Sequence, residues 1–135
     1  MFIFSCKDLT HWSVGWTDWN MALNLQGLPS WVGNRINSPI IINDTAQEYY
    51  KQPHFYVMGH FSKFISPGSI RVDHQVDKDV DSLQTIAFVR PDGATVLVAV
   101  NYGTESAKLV IKDPKLGKAT KTIEANSIQS YIWWP

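Results

Sequence analysis

The chain has 135 residues, 44% of them hydrophobic and 18% charged, which suits one globular core burying roughly two-thirds of its unfolded surface. Twelve basic residues balance twelve acidic ones, so net charge gives no reason to expect capture of nucleic acid. Cys6 is the only cysteine; it permits no internal disulfide, says nothing of redox compartment, and reads as a small apolar residue.

The start, Met1-Phe2-Ile3-Phe4-Ser5-Cys6, is apolar but far shorter than the ~20 residues of a membrane helix. It also lacks the basic start and long apolar core of a signal peptide. Ser13 to Asn20, rich in aromatic and β-branched residues, predicts a strand. Leu25 to Asn37, with Gly27, Pro29 and Gly33, predicts a long loop. Pro39 to Ile42 reads as a short buried strand.

From Pro53 to Ile65 the period changes. Phe55, Met58, Phe61 and Phe64 recur at steps of three, and Val57 and Ile65 widen the stripe; this predicts an amphipathic helix with Pro53 in its first turn, where a missing N–H costs nothing. Ser66-Pro67-Gly68 ends it. Beyond lie strand patterns at Ser69 to Val76, Leu83 to Arg90, Ala94 to Asn101, Lys108 to Lys112, Ala119 to Ile123 and Ser127 to Trp133. Pro91-Asp92-Gly93 marks a hairpin, and the spacing of about ten residues is that of an antiparallel β-sandwich or barrel. Residues 1–65 hold too few elements to enclose a core of their own. A strand, a loop and a helix make one βα unit, so they read as the last unit of a larger α/β domain.

Chemistry concentrates near the start. Trp16 and Trp19 flank Asp18, with Asn20 behind them and Trp31 to Asn34 in the following loop. An indole face packs on the C–H face of a pyranose while amides meet its hydroxyls. The plain alternative is that the tryptophans fill core and that Asn34 is a loop asparagine. His54 and His60 are six apart and share no helix face at ligand spacing; no metal and no cofactor are expected. Asn43-Asp44-Thr45 is an N-glycosylation sequon, meaningful only in a chain that enters the secretory route. Lys112, Lys115, Lys118 and Lys121 read as a solvated basic edge that discourages sheet-to-sheet association.

Gly15-Trp16-Thr17-Asp18-Trp19-Asn20-Met21-Ala22-Leu23-Asn24 resembles a segment of the glucosylceramidases, retaining β-glucosidases of glycoside hydrolase family 30. So do Ser38-Pro39-Ile40-Ile41, Tyr50-Lys51-Gln52-Pro53 and Gly59-His60-Phe61-Ser62-Lys63-Phe64-Ile65. Pro91-Asp92-Gly93, Ile111-Lys112-Asp113-Pro114, Ser127-Ile128 and Tyr131-Ile132-Trp133 continue the likeness in order. The resemblance implies α/β plus all-β architecture: residues 9–65 as the C-terminal end of a (β/α)8 catalytic barrel, residues 66–135 as an antiparallel β-sandwich, most of the barrel absent, and residues 1–8 unmatched. It implies that Trp19 and Asn34 line a glucose pocket. Asp8, Arg35, Ile36 and Asn37 depart from the family pattern, and Arg35 places a guanidinium at the pocket rim.

Retaining glycosidases need two carboxyl groups about 5–5.5 Å apart. In the resembling enzymes both are glutamates on earlier barrel strands, and Glu48, Glu105 and Glu124 stand in no matching context. The expectation is therefore a fragment that lacks both catalytic residues and is inactive alone. The intact enzyme would hydrolyse glucosylceramide to glucose and ceramide in the lysosome, with a saposin-type activator and an anionic membrane surface as implied partners. The competing expectation is a free-standing β-sandwich that binds a partner without catalysis, capped by residues 1–65.

Overall fold

The computed structural model describes residues 8–77 and 80–135. The apolar start Met1–Cys6, with its cysteine, lies outside the described residues. The centre of the molecule is a four-stranded antiparallel sheet of β4 (Ile70–Val72), β5 (Leu83–Val89), β6 (Thr95–Asn101) and β9 (Ser127–Trp133), in that spatial order. Period-two alternation gives this sheet two apolar faces. Ile86, Phe88, Val96, Val98 and Val100 form one buried cluster, and Ala87, Leu97 and Ala99 belong to another on the opposite face.

The second face is covered by a hairpin of β7 (Ala107–Asp113) and β8 (Gly117–Ile123), whose Leu109 and Ile123 join the alanines of the large sheet. Small residues at Ala87 and Ala99 let those two larger side chains approach closely. Asn101, only 1% exposed, ties the layers. Its Nδ2 donates to the carbonyls of Glu105 at 2.8 Å and Ile123 at 3.2 Å, and its Oδ1 accepts from the Gly103 N–H. A polar group buried this deeply is tolerable because its hydrogen bonds are made.

The first face is covered by the helix α1 (Pro53–Ser62). Pro53 opens it as expected, after an extended Gln52 whose side chain makes no capping bond. Lys63 and Ile65 still donate backbone bonds to Gly59 and Phe61, so the expected end at Ile65 differs from Ser62 only by a frayed turn. The buried stripe keeps Val57, Phe61, Phe64 and Ile65 of the expected one. Val57 is its most buried member, and Phe61, Phe64 and Ile65 pack on the sheet. Phe55 instead stacks edge-on against Tyr56 and receives the Lys51 ammonium at 4.8 Å.

The remaining sheet is small: β1 (Ala22–Asn24), β2 (Ile40–Asn43) and β3 (Glu48–Lys51), with β1 parallel to β2 and β3 antiparallel to it. Here the structure corrects two expectations. Ser13 to Asn20 is irregular, and the strand begins at Ala22. Aromatic and β-branched content suits a strand, but a strand exists only where a neighbour accepts its backbone bonds. Ile40–Ile42 pairs with Ala22–Asn24, and among the described residues nothing pairs with 13–20. Glu48–Lys51, all exposed, becomes a strand because a four-residue turn at 44–47 with Gln47 at φ 56° folds it back on β2. The same partnership leaves Ile42 exposed, where a buried strand was expected.

The short mixed sheet β1–β3 followed by the two-layer sandwich agrees with the predicted fold class.

Candidate functional site

The loop after β1 is organised from its base. Asn24 Oδ1 accepts the backbone N–H groups of Gln26 at 3.0 Å and Leu28 at 2.9 Å. The Asn24 N–H donates to the Leu28 carbonyl and the Gly27 N–H to the Asn24 carbonyl. Gly27 has φ 74°, and a Cβ there would lie 2.8 Å from the Ile36 carbonyl oxygen. Only glycine lets the two arms of the loop close at this point. Asn24, not among the expected functional residues, sets this loop, and the Asn-x-x-Gly spacing at its base is the sequence signal for it.

At the tip, Ser30 Oγ donates to Asn34 Oδ1 at 2.7 Å. That bond uses one of the two lone pairs of the Asn34 amide oxygen, and the amide nitrogen can donate to a ligand. Trp31 and Val32 project with no cover, 104% and 83% exposed. On the approach to β1, the Trp19 N–H donates to Asp18 Oδ1 at 2.8 Å. Asp18 is therefore a local brace for the backbone, and the Trp19 indole stands 77% exposed. Trp19 and Asn34 each have their own local anchor, and no hydrogen bond joins them among the described residues.

Two clefts among the described residues are lined by neither Trp19 nor Asn34. One of about 760 Å³ runs between residues 8–16, α1 and the segment 65–71, with Trp12, Trp16, Phe61 and Phe88 on its walls and Asp8 as its carboxylate. The other, of about 670 Å³, lies between β5 and β7 and holds one carboxylate, Asp77, engaged by Lys112. Glu48, Glu105 and Glu124 line neither cleft. Glu48 accepts the Tyr50 hydroxyl on β3, and the other two lie exposed in the β6–β7 and β8–β9 turns. Each of these two clefts therefore carries a single carboxylate, where retaining hydrolysis uses two. No group of three or more His, Cys, Asp or Glu among them could hold a metal.

Perturbed groups lie at the seams between layers. His60 Nδ1 meets Ser130 Oγ at 2.9 Å where α1 crosses β9, and burial lowers its pKa from 6.5. Asp113 accepts the Trp133 indole N–H at 2.9 Å and the backbone N–H groups of Lys115 and Leu116. Those bonds, the indole first, favour its charged form and lower its pKa. Burial raises that of Tyr131.

Residues 4–65 match the Glycosyl hydrolase family 30 TIM-barrel domain, and residues 68–131 match the Glycosyl hydrolase family 30 beta sandwich domain. The chain belongs to glycosyl hydrolase family 30. Among family relatives it is 46% identical over 126 residues to the lysosomal acid glucosylceramidase of Mus musculus. That match covers 93% of this chain and 24% of the mouse protein, in its C-terminal portion. The fold is also that of the endo-beta1,6-glucanase BT3312, with a TM-score of 0.88, 22% identity, and coverage of 97% of this chain and 29% of that one. SrfJ from Salmonella typhimurium superposes with a TM-score of 0.81 at 25% identity, over 87% of this chain and 26% of that one. The chain thus spans about a quarter of the length of the relatives it matches.

Proposed function

We propose that these 135 residues supply the sugar-facing edge and the flanking sandwich of a glucosylceramidase-like retaining β-glucosidase, without its catalytic glutamates. Its 46% identity to the mouse lysosomal enzyme over nearly the whole chain carries this reading. Residues 9–65 then form the last part of the barrel and 66–135 the sandwich. The substrate is glucosylceramide and the location lysosomal. The nucleophile and the acid/base carboxyl, about 5–5.5 Å apart, stand on other barrel strands of the assembled enzyme.

In that enzyme the exposed Trp19 indole packs on the apolar face of glucose, and Asn34 donates from its amide to a sugar hydroxyl. Asn34 stands in the loop that follows the C-terminal end of β1, the end at which barrel enzymes build their sites, and Trp19 lies on the approach to that strand. The uncovered Trp31 and Val32, with Arg35 three residues on, suit contact with a lipid substrate, an anionic membrane surface or a saposin-type activator.

Positioning a sugar does not form a glycosyl-enzyme intermediate, so the purified 135-residue chain should release no chromophore from an aryl β-glucoside. Release that copurifies with this chain, and vanishes with it on immunodepletion, would overturn the reading. A second reading is a β-sandwich binding module, favoured by the way α1 closes one face of the large sheet. It predicts a single cooperative unfolding transition of a monomer. Concentration-dependent association and a broad transition favour the fragment.

A further inference from the structure

We propose that Asn43 is an N-glycosylation site, and that its glycan shields the exposed edge of the β1–β3 sheet. The inference rests on the secretory route in the reading above. Asn43-Asp44-Thr45 is the one Asn-x-Ser/Thr triplet in the sequence, and its middle residue is not proline. The structure puts it at a surface turn: Asn43 ends β2, and residues 44–47, which carry the chain back into β3, are all exposed.

The local hydrogen bonds leave room for the modification. Asn43 Oδ1 accepts the Ala46 N–H at 3.2 Å, which uses the amide oxygen to shape the turn. Asn43 Nδ2 donates one hydrogen to the Tyr50 hydroxyl at 3.2 Å. That hydroxyl in turn donates to Glu48 at 2.9 Å. An amide nitrogen has two hydrogens. Glycosylation replaces one of them, so one N–H donor remains on the nitrogen after transfer.

In the transfer, Nδ2 gives up one proton and bonds to the anomeric carbon of an oligosaccharide carried on a lipid pyrophosphate. The bond from that carbon to the pyrophosphate oxygen breaks, and the lipid pyrophosphate leaves with the electron pair. Folding then brings the first sugar beside β3. This strand lies at the edge of its sheet with all four residues exposed, Tyr49 at 63% and Tyr50 at 41%. An unpaired edge with exposed aromatics invites pairing with another chain. A sugar packed on Tyr50 blocks that approach, as an indole or phenol face accepts a pyranose ring.

The test uses the protein isolated from its own cells, treated with peptide N-glycosidase in heavy-oxygen water, and mapped by peptide mass spectrometry with parallel fractionation. The expected result is faster migration after treatment and conversion of Asn43 to a labelled aspartate. Thr45→Ala, which leaves the Asn43 amide in place, should abolish the shift, and Thr45→Ser should retain it. An unmodified Asn43 in protein recovered from the lysosomal fraction would overturn the glycan alone. An unmodified Asn43 in protein found outside the secretory route would overturn both the glycan and the lysosomal reading.

Discussion

The sandwich and the β1–β3 portion use similar residues to opposite effect. Aliphatic and aromatic side chains of β5, β6, β8 and α1 are buried to within a few per cent: Ile86, Phe88, Val96, Val98, Val100, Ile123 and Val57. Between Trp12 and Val32 the corresponding residues are bare: Trp12, Val14, Trp19, Met21, Trp31 and Val32 all exceed three-quarters exposure. Leu23 is the one buried hydrophobic residue in β1 to β3. The contrast shows that apolar composition states a need for cover, while burial depends on whether the partner surface is in the same chain. An uncovered patch of this kind marks a binding face, shared in the proposed enzyme by the remaining barrel, the sugar and its lipid-side partners.

The sharpest test of that contrast is a cavity in the sandwich. Ile123 is fully buried between the layers, so Ile123→Ala should destabilise by about 2–5 kcal/mol, measured as a drop in the denaturant midpoint. A loss below about 0.5 kcal/mol would mean that the sandwich is no better packed than the region ahead of it.

A smaller effect should come from the seam between the two regions. Burial depresses the His60 pKa below its ordinary 6.5. The unfolded chain therefore takes up the proton first as pH falls, and stability is lost from about pH 6.5 downward through the folded value. The groups facing His60 do not offset this. Ile128, Ser130 and Ile132 share the β9 face, and Arg90, just after β5, donates to the Phe64 carbonyl while paired with Asp92. Lys63, on the helix itself, lies over the Phe64 ring. The melting temperature of the wild type should fall between pH 7 and 5 more steeply than that of His60→Gln, which keeps a donor for Ser130. Parallel curves would remove His60 from the account.

The smallest change in stability belongs to the bare region. Trp19→Ser and Trp31→Ser remove exposed indoles and should shift the midpoint by no more than about 0.5 kcal/mol. Both should reduce association on sedimentation, since the surface lost is apolar and uncovered. A large destabilisation would show these tryptophans to be packed in solution.

The sandwich was nearly readable from its pattern. Pro91-Asp92-Gly93 set a hairpin with Gly93 at φ 81° and a bond from the Arg90 N–H to the Ala94 carbonyl. Strands β5 to β9 fall within two residues of their expected limits, because alternation and local turns specify them. Ser13 to Asn20 failed as a strand because no sequence pattern records whether the pairing neighbour is present. Glu48–Lys51 escaped notice because its side chains are exposed on every residue, so no alternation revealed it. The tryptophan cluster and its asparagines read as sugar chemistry from the residues themselves, and the resemblance picked Trp19 and Asn34 out of it. The structure adds their local anchors, Asp18 and Ser30, which lie one and four residues away and could have been anticipated.

By itself the sequence determined the family, the hairpin turns, the two-faced strands and the sequon, since each depends on residues close along the chain. Tertiary structure alone decided that α1 closes the sandwich through Phe61, Phe64 and Ile65, that His60 meets Ser130 across seventy positions, and that Asn101 joins β6 to β8. Those contacts connect residues far apart along the chain, and their free energy arises only when water leaves both surfaces at once.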